Sequence, residues 1–204
     1  MSHSDRVSLR KQLRQKRRGL SAAEQRDRSE QIFRRVVTQP SFHRARRVAF
    51  YFANDGEVDP LAILLRSWQL GKRCYLPVLS AHRPDKVCFA PFQMRDELVP
   101  NRWGILEPDL PARRLVAAFS LDLVFVPLVG FDPDCNRMGM GKGFYDRTFA
   151  YRERLGFRRP QLIGLAYELQ RVDSIPTSSW DVPLDAVVTE TGCYWRRKGT
   201  GQLP

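Results

Sequence analysis

LDLVFVPLVGFDPDCNRMGMGKGFYDRTF, residues 121–149, is the stretch that decides the fold. Leu121 to Val129 is a short apolar run rich in Val and Leu between polar flanks, which predicts a buried strand of an α/β sheet. A glycine-rich loop follows, in which Gly139, Gly141 and Gly143 alternate with Met140 and Lys142. Without Cβ atoms in the way, such a loop can aim backbone N–H groups at an anion. Asp146 and Arg147 are expected to open a helix, whose positive end adds to that attraction. Strand, glycine loop, lysine and helix together read as a phosphate-binding arrangement.

No established phosphate fingerprint fits letter by letter. A Walker loop needs Ser or Thr after its lysine, where this chain has Gly143, and a dinucleotide fingerprint needs glycine where Phe144 stands. The plain alternative is a tight strand-to-helix turn without a ligand. Against it, Arg137, Lys142, Tyr145 and Asp146 all fall in one loop beyond a strand's C-terminal end, where open α/β sheets bind ligands.

Outward from this centre, the N-terminal side alternates helix and strand. Leu9 and Leu13 predict a basic helix over Val7–Arg18, and Ser21 with Glu24 forms a capping box for the next. That second helix buries Ile32, Phe33, Val36 and Val37 and is expected to stop at Pro40. Arg47–Ala53 reads as a strand followed by an Asn54-Asp55-Gly56 loop. Pro60 at the first helical position and Gly71 as a stop bound a third helix, and Cys74–Leu79 reads as the next strand. Val87–Phe92 reads as a further strand and 100–111 as a proline-bearing excursion around Trp103. Beyond the glycine loop come a helix from Asp146 to about Leu155, a strand at Gln161–Tyr167 and a last strand at Leu184–Glu190. The expectation is one domain over 1–195 and a frayed tail over 196–204.

The 204 residues suffice for a buried core, and 43% hydrophobic with 27% charged content is ordinary for a soluble globular chain. No run approaches the roughly 20 apolar residues of a membrane helix, and the charged start lacks a signal peptide's apolar centre. Asp5 in that Arg-rich start argues against a transit peptide, so a cytoplasmic protein without membrane contact is expected. The scattered Cys74, Cys88, Cys135 and Cys193, remote from all three histidines, form neither zinc spacing nor a disulfide framework. Residues 1–50 hold 14 Lys or Arg against four acidic residues, and so carry most of the net charge of +12. Such an arm can grip nucleic acid, focus field on polyanionic small molecules, or simply solvate helix faces.

The segment NRMGMGKGFYDR, preceded by VPLVGFD, resembles the signature of the 5-formyltetrahydrofolate cyclo-ligase, or methenyltetrahydrofolate synthetase, family. Further matches, in order, are VSLRKQLRQKRRGLS, FANDGEVD, NRWGILEP and WDVPLDAVVTE, so the resemblance spans nearly the whole chain. It implies a three-layer α/β/α fold with a mixed or mostly parallel central sheet and basic N-terminal helices. It also implies ATP-dependent closure of 5-formyltetrahydrofolate to 5,10-methenyltetrahydrofolate through phosphorylation of the formyl oxygen. ATP and Mg²⁺ are then the expected cofactors and a folate the expected partner. A monomer is the default, and a basic nucleic-acid-binding protein is the competing reading.

By the same resemblance, ATP falls to Arg6, Arg10, Arg137, Met138, Gly139, Met140, Gly141, Lys142, Gly143, Phe144 and Tyr145. Arg137, Lys142 and Tyr145 are the implied catalytic residues. Arg6 stands where the family has lysine and Phe144 where it often has a second tyrosine. The folate falls to Phe52, Glu57, Trp103 and the loop residues Met140 to Phe144. Glu57 would accept hydrogen bonds from the pterin's donor edge. Asp146 and Asp181 are implied to hold Mg²⁺, with Trp180 in place of a histidine common in relatives. Each has a plainer alternative: Lys142 a solvated loop lysine, Asp146 a helix cap, Glu57 a surface carboxylate, Phe52 and Trp103 core.

Overall fold

The computed structural model describes residues 3–79, 85–101, 104–157 and 159–197. Trp103 and most of the expected frayed tail, 198–204, lie outside the described residues. The elements run α1 (His3–Arg18), α2 (Ala22–Val37), α3 (Pro40–Arg44), β1 (Arg47–Ala49), α4 (Leu61–Gln69), β2 (Arg73–Leu79) and β3 (Val87–Pro91). They continue with β4 (Leu98–Pro100), β5 (Leu106–Pro108), β6 (Leu123–Pro127), β7 (Gly130–Phe131), β8 (Arg137–Met138) and α5 (Phe144–Phe149). The last are α6 (Tyr151–Leu155), β9 (Gln161–Leu165), β10 (Ala186–Val188) and β11 (Cys193–Trp195).

Seven strands form one sheet in the order β11-β10-β9-β6-β1-β2-β3. The five inner strands are parallel, and β3 and β11 pair antiparallel at the two edges. Successive strand residues face opposite sides, because the pleat has a period of two. Val48, Phe50, Leu123, Phe125, Ile163 and Val188 therefore pack with Ile32 and Val36 of α2 and Ile63 of α4. Ala49, Val124, Val126, Leu162 and Val187 face the other way and pack with Phe149 of α5. Burial on both faces is why these strands read as continuous apolar runs, and it makes the three layers.

From β1 the sheet grows through β2 to β3 on one side and through β6 toward β11 on the other. The loops leaving β1 and β6 thus part at a topological switch point, which opens a crevice beyond the strands' C-terminal ends. The Asn54-Asp55-Gly56 turn and the glycine loop are the two lips of that crevice.

Several local expectations need correction. Pro40 does not merely stop α2 but also opens α3, as proline at a first helical position can. Pro60 precedes α4 as its cap residue and not its first turn. The proline-bearing excursion contains the β4–β5 hairpin, β7 and β8 pair after β6, and β11 follows the strand expected to be last. Arg196, placed in the frayed tail, donates its N–H to the Asp185 carbonyl at 3.0 Å.

Gly164 in the middle of β9 marks close packing. A Cβ there would stand 2.6 Å from both Leu128 Cδ2 and Leu184 Cδ1. Gly164→Ala is therefore expected to destabilise by about 1–3 kcal/mol through overpacking. A urea titration reads this as a lower midpoint at unchanged slope, and a parental midpoint would show that the two leucines yield freely.

Candidate active site

After β6 the chain makes the β7–β8 hairpin, closed where Val129 N–H donates to the Met138 carbonyl at 2.7 Å, and then enters the glycine loop. Gly141 (φ +91°) and Gly143 (φ +67°) occupy the left-handed region that favours glycine. Backbone conformation and not space calls for glycine here: a Cβ at 143 would meet only the movable end of Arg147, 2.8 Å from Nη1, and one at 141 would make ordinary contact with Arg10 Cζ at 3.6 Å. Two arginines hold the loop by its carbonyls. Arg10 Nε donates to the Gly139 oxygen at 2.9 Å and Arg147 Nη2 to the Lys142 oxygen at 2.6 Å. The Arg147 guanidinium also lies 5.6 Å over the Phe144 ring. Lys142 itself is exposed in the cleft wall.

The helix expected from Asp146 begins earlier and is broken: α5 starts at Phe144, behind a left-handed Gly143, and α6 follows after Ala150. Asp146 is accordingly the third helical residue and not the cap. A six-residue helix contributes little dipole, so attraction for anions rests on the loop's amides and on arginines. Asp146 Oδ1 accepts from Arg137 Nη2 at 2.6 Å and from Val182 N–H at 3.1 Å, while Arg137 Nη1 donates to the Val182 carbonyl. This pairing brings the late WDVPLD segment against α5. Asp181, the neighbour of Val182, accepts from Ser178 N–H at 2.8 Å and faces Arg6 at 3.6 Å. Arg137, implied by resemblance as an ATP-binding and catalytic residue, is thus engaged by protein groups on both terminal nitrogens while it lines the cleft.

Across the crevice, Asp55 (φ +55°) and Gly56 (φ +74°) turn the chain so that Glu57 points into the cleft. Its Oε2 accepts the Asn54 N–H at 3.2 Å. Burial pushes the Glu57 carboxyl up to about 7, against the pull of Arg17, because the surrounding groups replace too little of the lost water. Tyr145, half-buried on the opposite lip, is also raised, first by loss of water around its hydroxyl and then by the negative charge of Glu57, with Arg137 opposing.

The resulting cleft has a volume of about 1250 Å³. Arg6, Arg10, Phe52, Glu57, Arg137, Gly139 to Asp146, and Asp181 all line it. Met138 is the exception among the described candidates: it is 1% exposed and faces the core, because it belongs to the β8 side of the hairpin. Phe52 has both of its alternative roles, lining the cleft while meeting Phe92 edge-on at 5.8 Å. Two contributions were not anticipated. The β4–β5 hairpin sets Ile105 and Leu106, each more than 40% exposed, on the cleft's rim. Trp180, 71% exposed, stands beside Asp181 in the wall. The sequence marked 100–111 only as a proline-bearing excursion, and nothing local told that it would fold back as a hairpin.

The charge excess of residues 1–50 is partly internal: Arg14, Arg17 and Arg18 converge on Asp55, and Arg28 pairs with Glu190 at 2.5 Å. All four cysteines are free thiols, and burial pushes Cys135 up to about 12, which removes it as a nucleophile. Among the described residues no helix is long and apolar enough to cross a membrane. Nor do three or more His, Cys, Asp or Glu side chains cluster there to hold a metal. Asp146 and Asp181 are two carboxylates, as few as Mg²⁺ uses when a nucleotide supplies further oxygens.

The model of the 5-formyltetrahydrofolate cyclo-ligase family matches residues 2–190. The chain is 38% identical over 177 residues to 5-formyltetrahydrofolate cyclo-ligase of Escherichia coli K12, covering 87% of this chain and 96% of that one. It is 34% identical over 184 residues to the Haemophilus influenzae cyclo-ligase, at 90% and 97% coverage. The solution structure of Aquifex aeolicus 5,10-methenyltetrahydrofolate synthetase matches the fold with a TM-score of 0.80 at 29% identity, over 98% of this chain and 96% of that one.

Proposed function

The chain belongs to the 5-formyltetrahydrofolate cyclo-ligase family, and from that premise we propose that it closes 5-formyltetrahydrofolate to 5,10-methenyltetrahydrofolate with ATP. The supporting observation is that one cleft joins a basic glycine loop to a largely desolvated carboxylate with acceptor capacity to spare.

A formyl oxygen is a poor leaving group, so N10 of the folate cannot displace it unaided. In the proposed reaction the γ-phosphoryl moves from ATP to that oxygen, releasing ADP. N10 then attacks the formyl carbon, the C–O bond breaks, phosphate departs with the oxygen, and the N10 proton is lost. Phosphoryl transfer asks a protein mainly for positioning and charge neutralisation. The amides between Gly139 and Tyr145 would cradle the phosphates, Lys142 would face the γ-phosphoryl, and Arg6 and Arg10 would approach from α1. Glu57 would hold the pterin's donor edge, with Phe52 as an apolar wall. Tyr145, between Glu57 and Arg137, would lie at the transferred group. Asp146 and Asp181 fit Mg²⁺ arriving with the nucleotide, and that ion would screen the triphosphate's charge. A cytoplasmic location belongs to the same reading.

The direct test is to add 5-formyltetrahydrofolate, ATP and magnesium to the purified protein. We expect methenyl product and ADP in equal amounts, and arrest by EDTA. Absence of product sinks the reaction; full turnover after chelation removes the magnesium assignment alone.

A further inference from the structure

Arg17 has no part in the chemistry above, yet its side chain is completely buried beneath the cleft. A charge in that position must be paired and hydrogen-bonded to persist. Its Nε donates to the Asp55 carbonyl at 2.9 Å, Nη2 to Asp55 Oδ2 at 3.0 Å and Nη1 to the Leu128 carbonyl at 3.1 Å. One guanidinium on α1 thereby ties the loop after β1 to the chain leaving β6, the two lips of the switch-point crevice. Nη1 also stands 3.7 Å from Glu57 Oε1, close enough for charge but beyond a hydrogen bond. Because the fork is directed at Asp55 and Leu128, Oε1 keeps its capacity to accept from something else.

We infer that Arg17 is the positioning residue for Glu57, fixing that carboxylate in the crevice and giving it a counter-charge while leaving Oε1 open to a ligand's donor edge. The inference rests on the reading of Glu57 as the folate-facing carboxylate. A lysine could not replace Arg17, because an ammonium on a flexible stem does not reproduce a planar fork set on three acceptors.

The groups facing Glu57 fix the signs of the test. Arg14 and Arg17 from α1 favour its ionised form, Asp55 in its own turn opposes it, and Tyr51, Tyr145 and Tyr167 surround it as neutral phenols. With Glu57 ionising near pH 7, affinity for 5-formyltetrahydrofolate is expected to rise with pH through that point in the parent. Arg17→Met should move the midpoint upward by about one unit or more, as loss of an opposite charge within 4–6 Å does. Asp55→Asn should move it downward, and asparagine tolerates the left-handed φ there. Arg17→Lys keeps the charge and hence the midpoint, but should lose about tenfold in affinity with the fork.

Dissociation constants for 5-formyltetrahydrofolate and for ATP are to be measured on the whole chain from about pH 5.5 to 8.5, with circular dichroism to check folding. ATP affinity should stay near parental throughout. A purely structural Arg17 would weaken binding in all variants without moving any midpoint, and that result overturns the inference. If Arg17→Met does not fold, parental affinity in Arg17→Lys together with an unmoved midpoint in Asp55→Asn overturns it equally. Glu57→Gln separates the two levels: parental folate binding in that variant removes the reading beneath the inference, whereas weakened binding with unmoved Arg17 and Asp55 midpoints removes the inference alone.

Discussion

Replacing Lys142 by alanine is expected to lower turnover by about 10²-fold or more, the loss seen when one preorganised stabilising group is removed from a transition state. The loop around it is built to hold that charge in place: Gly141 and Gly143 take left-handed backbones, and Arg10 and Arg147 fasten the carbonyls of residues 139 and 142. The ammonium counts most while the γ-phosphoryl is in flight, so the loss should appear in turnover and less in the Michaelis constant for ATP. Lys142 is exposed and contributes little buried area, so its loss should change stability by about 0.5 kcal/mol or less. Steady-state kinetics beside a thermal melt decide it. Parental turnover in a folded Lys142→Ala protein would make the glycine loop a turn and nothing more.

Asp146 does not share that separability, although sequence placed it in the same loop. It carries the Arg137 guanidinium, whose side chain is 6% exposed, and the Val182 N–H. Asp146→Asn should therefore cost about 1–3 kcal/mol as well as raising any magnesium requirement, since it weakens a charge-assisted bond to a nearly buried partner. The sequence exposed the carboxylate's type and neighbourhood but hid its partner, 36 residues away in chain.

The same division runs through the whole molecule. Parallel inner strands were legible because burial on both faces leaves short, largely apolar runs, LVFVP at Leu123–Pro127 and QLIGL at Gln161–Leu165. The capping box at Ser21 and Glu24 and the glycine stop at Gly71 were legible because each acts within a few residues. The pairings β4–β5, β7–β8 and β10–β11 were not, since two- and three-residue strands carry too little periodicity to stand out. Glycine spacing and charge marked Arg137 to Asp146 as a site, whereas Glu57 entered through family resemblance alone. What sets Glu57 apart is the desolvation around it, and that is supplied by α1, α5 and the sheet together, not by its neighbours in chain.

Glu57→Gln, for the same reason, should separate the two ligands. The substitution exchanges an acceptor-only group for one that must present NH₂ toward a donor edge, so 5-formyltetrahydrofolate binding should weaken by about 2 kcal/mol or more, roughly 30-fold, with ATP binding unchanged. Its effect on stability should have the opposite sign. The carboxyl is raised from 4.5 to about 7, so the folded protein holds a proton that the unfolded chain has already released between those values. Stability from Glu57 is complete below about pH 4.5 and is lost as pH rises through about 7. Glutamine cannot ionise, so the unfolding free energy of the variant relative to the parent should grow from pH 5 to pH 8 by up to about 3 kcal/mol, the linkage value of such a shift. Urea unfolding of both ligand-free proteins at the two pH values measures this. A variant–parent difference independent of pH would mean that Glu57 is already solvated in the empty cleft, while equal weakening of folate and ATP would give it a general structural role. The combination expected here, poorer folate binding in a protein that gains on its parent as pH rises, is the signature of a carboxylate held desolvated for a ligand that completes its hydrogen bonds.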